Sequence, residues 1–158
     1  MVELKVSCND YRGSVVLKRR ITYVRGDSGV GKSEFARCIM DYNTGDSSVK
    51  VDCVREVEVL SGVSLRGLDI FSSMRGCVVI IDDSLETEDT KFGNEIAKIV
   101  LELDIYLMII NRVDAFSVVG GLDYSVNSIL ICEKDGIDHR FVPLVDRVGY
   151  GEDYYNIG

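Results

Sequence analysis

A glycine-rich segment at residues 26–33 constrains the fold of this 158-residue chain more than any other part of its sequence. The segment follows residues 21–24, Ile-Thr-Tyr-Val, whose β-branched and aromatic side chains predict a strand. It precedes a stretch in which Phe35, Ile39 and Met40 lie at helical spacing. The sequence therefore predicts a strand, a glycine-rich loop and a helix in direct succession, which is a building unit of α/β domains.

The residues of this loop have the chemistry of a phosphate-binding site. They match the pattern GxxxxGK followed by Ser or Thr, and they are Gly26, Asp27, Ser28, Gly29, Val30, Gly31, Lys32 and Ser33. Glycines let the backbone turn tightly, so that successive N–H groups point at phosphate oxygens. The helix that follows adds the positive end of its dipole. Lys32 supplies a positive charge for the β- and γ-phosphates, and the Ser33 hydroxyl is a suitable ligand for Mg²⁺.

The loop resembles the Walker A motif of the P-loop NTPase superfamily. The resemblance implies ATP and Mg²⁺ as cofactors, with residues 26–33 on the nucleotide. It also predicts a second element, Walker B, in which an apolar strand ends in aspartate. Residues 77–81, Cys-Val-Val-Ile-Ile, form such a run and are followed by Asp82 and Asp83. The resemblance therefore implies that Ser33 and Asp82 hold Mg²⁺ together.

The residues that follow the buried strands indicate a subclass of ATPases. In AAA+ and ABC-type ATPases, Walker B usually ends in Asp-Glu, and the glutamate polarises the attacking water. Here Asp83 takes that position, with Glu86 as a second candidate. The apolar run at 105–110 is followed by Asn111, which resembles the water-orienting residue called sensor 1. A strand between the two Walker elements is a further mark of this additional-strand class, and residues 49–53 are predicted to supply it.

The resemblance implies an enzyme that binds Mg-ATP and hydrolyses it slowly by attack of water at the γ-phosphate. Lys32 would stabilise the developing charge, and Asp83 and Asn111 would position the water. No arginine finger is identifiable in the sequence, so we expect a protein partner or a second copy of the chain to supply one. An alternative is a nucleotide-binding assembly subunit that does not hydrolyse ATP.

Other nucleotide-dependent functions have partial motifs in the chain. Residues 111–114, Asn-Arg-Val-Asp, resemble the guanine-reading motif Asn-Lys-x-Asp of GTPases, although Leu85 stands where their DxxG motif has glycine. Residues 60–62, Leu-Ser-Gly, resemble the beginning of the ABC signature LSGGQ. A small-molecule kinase would need a lid arginine, for which Arg140 and Arg147 are the candidates.

Alternation of predicted strands and helices indicates an α/β fold. We expect the P-loop NTPase fold, a mostly parallel β-sheet flanked by helices, with antiparallel strands at the N-terminal and C-terminal ends. The expected bounds are 1–148 for a single nucleotide-binding domain, 1–20 and 128–145 for its terminal β-hairpins, and 149–158 for a tail. Asp135-Gly136 is a strong hairpin signal. Helical spacing predicts further helices over 64–74 and 92–103.

Composition and charge exclude several classes of partner. The net charge of −8 excludes a generally basic nucleic-acid binder, but a local basic cluster remains as a candidate nucleic-acid contact. The cluster comprises Arg12, Lys18, Arg19 and Arg20. The apolar runs are shorter than the ~20 residues of a spanning helix, so we expect no membrane partner and a cytoplasmic protein. Five cysteines without CxxC spacing predict reduced thiols rather than a zinc site.

Overall fold

The computed structural model describes residues 1–25, 32–61, 68–82, 90–110 and 127–143, which contain nine strands and two α-helices. The strands are β1 (Val2–Cys8), β2 (Tyr11–Leu17), β3 (Ile21–Arg25), β4 (Lys50–Asp52), β5 (Val57–Ser61), β6 (Val78–Asp82), β7 (Tyr106–Ile110), β8 (Asn127–Asp135) and β9 (Asp138–Pro143). The α-helices are α1 (Lys32–Asn43) and α2 (Thr90–Glu102), and a 3-10 helix spans Leu68–Phe71.

The nine strands join one curled sheet in the order β4-β1-β2-β9-β8-β3-β7-β6-β5. From β8 to β5, each strand is parallel to its neighbours within this group. The hairpins β1–β2 and β8–β9 are antiparallel, and β4 pairs antiparallel with β1. Strand β2 pairs in parallel with β9, and this pairing joins the two hairpins. Because β8 also pairs with β3, both hairpins belong to the same sheet as the parallel strands.

The central strands β6 and β7 are buried on both faces, as their continuous apolar runs predict. In β6, Ile80 packs in the core that contains Phe35 of α1, whereas Ile81 packs in a second core that contains Ile96 of α2. Successive strand side chains point to opposite faces, so α1 and α2 cover opposite sides of the sheet. Each fully buried isoleucine contributes about 1.5–3 kcal/mol to folding.

The predicted fold class is wrong. A helix-flanked, mostly parallel α/β sheet of the P-loop NTPase type was expected, but the described ranges form a strand-rich structure with a mixed nine-stranded sheet and only two α-helices. The physical reason is that the two hairpins pair with each other and extend the sheet, which then curls. The inner faces of β1 and β2 bury their apolar side chains in the same core as α1, so strands cover this helix.

Two further predictions for single elements are also wrong. Residues 49–53 were expected between the Walker elements, but β4 pairs with β1 at the edge of the sheet, and the strand that separates β3 from β6 is β7. A helix was predicted over 64–74. Within the described residues 68–74, only the short 3-10 helix Leu68–Phe71 forms, and its last residue, Phe71, is fully buried.

Helix α1 packs against β2 at Gly13, where the two elements leave no space for a side chain. A Cβ added at Gly13 would lie 2.6 Å from Cδ2 of Phe35 and 2.9 Å from Cε1 of Tyr11. Phe35 is fully buried and meets Phe141 of β9 edge-on, with 4.9 Å between ring centroids. Space, rather than backbone conformation, therefore requires glycine at position 13.

We expect Gly13→Ala to lower the free energy of unfolding by about 1–3 kcal/mol, because the added methyl group displaces the Phe35 ring. Urea unfolding followed by circular dichroism measures this change. Ser14→Ala is the matched control, since Ser14 is next in the strand and points to the opposite face; its effect should stay within about 0.5 kcal/mol. Equal stability of Gly13→Ala and the wild type would contradict this packing.

A cluster of two arginines and one aspartate lies at the amino ends of the parallel strands. Arg20 and Arg55 both donate to Oδ1 of Asp104, at 2.6 Å and 3.2 Å. Their guanidinium groups stack on the Tyr106 ring, 4.3 Å and 4.9 Å from its centroid. The hydrogen bonds from Arg20 and then Arg55 hold the pKa of Asp104 below its usual value. The cluster joins the segments that precede β3, β5 and β7.

We expect Asp104→Asn to lower the free energy of unfolding, and we expect the size of this loss to depend on pH. Asparagine tolerates the left-handed backbone at this position, where φ is 55°. Because the pKa of Asp104 is lowered in the folded state, its contribution is present above the usual value of 3.8 and is lost as the pH falls through the folded-state pKa. The urea midpoints of wild type and variant should therefore differ at pH 7 and converge once the pH lies below the folded-state pKa of Asp104. A difference that is independent of pH would contradict this explanation.

Candidate functional site

The predicted strand–loop–helix unit is confirmed on both sides of the glycine-rich loop. Strand β3 ends at Arg25, and α1 begins at Lys32. Residues 26–31 and the side chain of Lys32 lie outside the described part of the structure, so their predicted contacts stay predictions. Glu34 in the first turn of α1 is favourable at the positive end of the helix dipole.

The parallel register brings the carboxyl ends of three strands to one edge of the sheet. Val24 of β3 pairs with Ile110 of β7, and Ile110 pairs with Asp82 of β6. Asp82 is the last residue of its strand and is half-buried. The edge at which β3 leads into the loop is therefore also the edge at which the predicted Walker B aspartate lies.

Ser33 and Asp82 are in direct contact at this edge. Oγ of Ser33 donates a hydrogen bond to Oδ1 of Asp82 at 3.3 Å, although the residues are 49 positions apart in sequence. The serine is exposed in the first turn of α1, so the pair is open to solvent on the helix side. These two residues were predicted from separate motifs, and the fold brings them together.

A hydroxyl and a carboxylate at this distance fit Mg²⁺. Two oxygens that each bind an octahedral Mg²⁺ at about 2.1 Å in adjacent positions lie about 3 Å apart. No group of three or more His, Cys, Asp or Glu side chains that could hold a metal occurs among the described residues. Mg²⁺ does not need such a group, because it usually takes one or two protein ligands together with phosphate oxygens and water.

The residues predicted to act on water are not part of the described structure. Asp83, Glu86 and Asn111 all lie outside the described ranges, as do Leu85, Arg147 and the remainder of residues 111–114. Asp83 directly follows Asp82 in the chain, and Asn111 directly follows Ile110. Their roles in hydrolysis therefore stay predictions.

The four basic residues that were candidates for nucleic-acid contact do not form one patch. Arg12 makes an ion pair with Asp138 at 2.7 Å, and Arg20 makes one with Asp104 at 2.6 Å. Arg12 lies near the start of β2, whereas Lys18 and Arg19 follow its end, so they are separated by about 20 Å of extended chain. This separation gives the nucleic-acid hypothesis no support.

A groove on the outer face of the extended sheet carries charges of both signs. It has a volume of ≈ 660 Å³ and runs over β4, β1, β2, β9 and β8. Its charged lining residues are Lys5, Arg12, Lys50, Lys134, Arg140, Asp52, Glu133, Asp135 and Asp138. Because acidic and basic side chains nearly balance, the groove does not have the electrostatics of a polyanion site. Arg140, a candidate for a kinase lid, lies here on β9.

Sequence reasoning missed a close pair of cysteines, Cys8 and Cys38. Their Sγ atoms lie 3.1 Å apart, and both thiols are free. They are 30 positions apart in the chain, and no spacing rule pairs them. Only the packing of α1 on β1 brings them together, so the sequence contains no local signal for this contact.

No protein-family model matches the chain. No curated protein sequence matches it either. Within the described ranges, neither α-helix has the length and apolar character that crossing a membrane requires. The function is therefore inferred from the residues and the geometry of the site.

Proposed function

We propose that the chain binds a Mg²⁺-complexed nucleoside triphosphate, ATP by preference, at the carboxyl edge of β3, β7 and β6. The observation that carries the proposal is the contact between Ser33 and Asp82. In Mg-nucleotide sites of this kind, the serine that closes the phosphate loop and the aspartate that ends a neighbouring buried strand serve the same metal ion. We propose the nucleotide site from its motifs, which resemble those of the P-loop NTPase superfamily. We do not propose the fold of that superfamily for the whole chain.

The geometry supports the proposal beyond what the motifs supply. A glycine-rich loop alone is compatible with a simple turn, and an aspartate at a strand end is often a solvated residue. The two motifs are separated in sequence, and nothing in either pattern requires their last residues to touch. Their hydrogen bond therefore supports a shared ligand, and a divalent cation with oxygen ligands fits both groups.

Each residue of the site has a separate task in the proposed complex. The backbone N–H groups of residues 26–31 and the N-terminus of α1 would bind phosphate oxygens. Lys32 would add a positive charge at the β- and γ-phosphates. Ser33 and Asp82 would hold Mg²⁺, which when bound neutralises phosphate charge and polarises the γ-phosphoryl group.

Slow hydrolysis of the γ-phosphate is the second part of the proposal. Asp82 and Ile110 are register partners on adjacent strands, and the two residues that follow them in the chain are Asp83 and Asn111. Polar side chains at these positions would orient a water molecule near the γ-phosphate. An arginine from a protein partner or a second copy of the chain would supply the remaining charge stabilisation.

We expect ATP with Mg²⁺ to raise the melting temperature by about 5–10 °C at a concentration of 100 Kd, because only the folded chain has the site. Lys32→Ala should abolish most of this shift. Lys50→Ala is the control, since Lys50 is an exposed lysine on β4 at the far edge of the sheet. Differential scanning fluorimetry with ATP and GTP, each with and without Mg²⁺, measures the effect. An undiminished shift in Lys32→Ala would refute the proposed site.

We expect Ser33→Ala and Asp82→Asn to remove specifically the Mg²⁺-dependent part of ATP affinity, each by about tenfold or more. If both residues serve one ion, the losses in the double variant should not add. Isothermal titration calorimetry with ATP, once in the presence of Mg²⁺ and once in the presence of EDTA, separates the Mg²⁺-dependent part of the affinity from the remainder. Additive losses, or equal losses in EDTA, would contradict a shared metal ion.

We expect phosphate release from ATP without an added acceptor, at a rate that Asp83→Asn lowers by about 10²-fold or more. A coupled phosphate assay under multiple-turnover conditions measures this rate. Binding without release would favour the assembly subunit, and release only with an acceptor would favour the kinase. A stronger response to GTP than to ATP would favour the GTPase-like switch.

A further inference from the structure

Cys8 and Cys38 lie against each other where β1 packs on α1. Cys8 is the last residue of β1, and Cys38 lies on the buried side of α1. Their Sγ atoms are 3.1 Å apart, about 1 Å more than the length of a disulfide bond. A small shift of either side chain would bring the sulfur atoms to bonding distance.

The two thiols differ in their access to solvent. Cys8 is half-buried, whereas only 1% of Cys38 is exposed. Burial, and then the hydrogen bond with Cys8, raise the pKa of Cys38 to about 12, so this thiol keeps its proton at neutral pH. Tyr11 lies beside the pair, and burial followed by the nearby thiols of Cys132, Cys38 and Cys8 raises the pKa of its hydroxyl. An oxidant from solvent therefore reaches Cys8 first.

We propose that Cys8 and Cys38 are a redox pair that forms a reversible disulfide on exposure to a peroxide. The Cys8 thiolate attacks one oxygen of hydrogen peroxide, the O–O bond breaks, and Cys8 becomes a sulfenic acid with release of hydroxide. Cys38 sulfur then attacks the Cys8 sulfur, and the S–O bond breaks as the S–S bond forms. The departing oxygen leaves as water, with the proton of Cys38. In total, two thiols lose two electrons and two protons, and one peroxide becomes two waters.

The disulfide would close a covalent ring over residues 8–38. The ring contains β2, β3 and the glycine-rich loop, and it fixes α1 to the end of β1. Because a cross-link of this length restricts the unfolded chain, it stabilises the folded state. The proposal depends only on the described contact between the thiols, and it is independent of nucleotide binding.

The test treats the folded wild-type chain with a small excess of hydrogen peroxide and digests it with trypsin after blocking free thiols. Each of the five cysteines falls in a different tryptic peptide, and those of Cys8 and Cys38 are residues 6–12 and 38–50. We expect these two peptides to be linked, the intact mass to fall by about 2 Da, and dithiothreitol to reverse both changes. The melting temperature should rise by about 5–10 °C on oxidation and return on reduction.

Single-cysteine variants provide the controls. Cys8→Ser should abolish the mass loss and the rise in melting temperature, whereas Cys53→Ser, which removes another half-buried thiol, should preserve both. If Cys8→Ser does not fold, the wild-type peptide map still decides the question. Three results would overturn the proposal: oxidation of Cys8 to acids without a linked peptide, a link to the Cys132 peptide at residues 113–134, or a melting temperature that oxidation lowers or leaves unchanged.

Discussion

The parallel register of β3, β7 and β6 is the constraint on which the candidate site depends. These strands are held in register by buried side chains on both faces, including Ile80 and Ile81 of β6, and any slip would turn the wrong side chains towards each core. With the register set, Asp82 lies level with Ile110 and with the end of β3. The first turn of α1 then brings Ser33 to the carboxylate. Thus the contact between Ser33 and Asp82 depends on the packing of the two apolar cores, although neither side chain belongs to a core.

Much of this local structure was predictable from the sequence, because local patterns determine it. Alternating and continuous apolar runs predicted the strands, the helical spacing of Phe35 and Ile39 predicted α1, and Asp135-Gly136 predicted the turn between β8 and β9. The glycine-rich loop and the aspartate after a buried strand were also visible as motifs. Each of these signals involves residues close together in the chain, where spacing and turn chemistry are sufficient.

The fold class was not predictable in the same way, because it depends on which distant strands pair. No local pattern shows that β2 joins β9, or that residues 50–52 pair with β1 rather than with the central strands. The curl of the sheet follows from these pairings. Gly13 illustrates the difficulty: nothing near it in the sequence shows that a strand needs glycine at this position to leave space for Phe35. The contact of Cys8 with Cys38 is a second long-range consequence of the same packing.

The parallel pairing of β2 with β9 has a consequence for the order in which the chain folds. It joins residues 12–15 to residues 138–141, so the middle of the sheet cannot close before the last described strand is available. The hairpin β1–β2 contains only local contacts and can form early, with one edge of β2 unsatisfied. During synthesis, that edge of β2 has no partner strand until β9 has emerged. In this interval it can pair with strands of other chains. During folding, closure of the sheet within one chain therefore competes kinetically with association between chains.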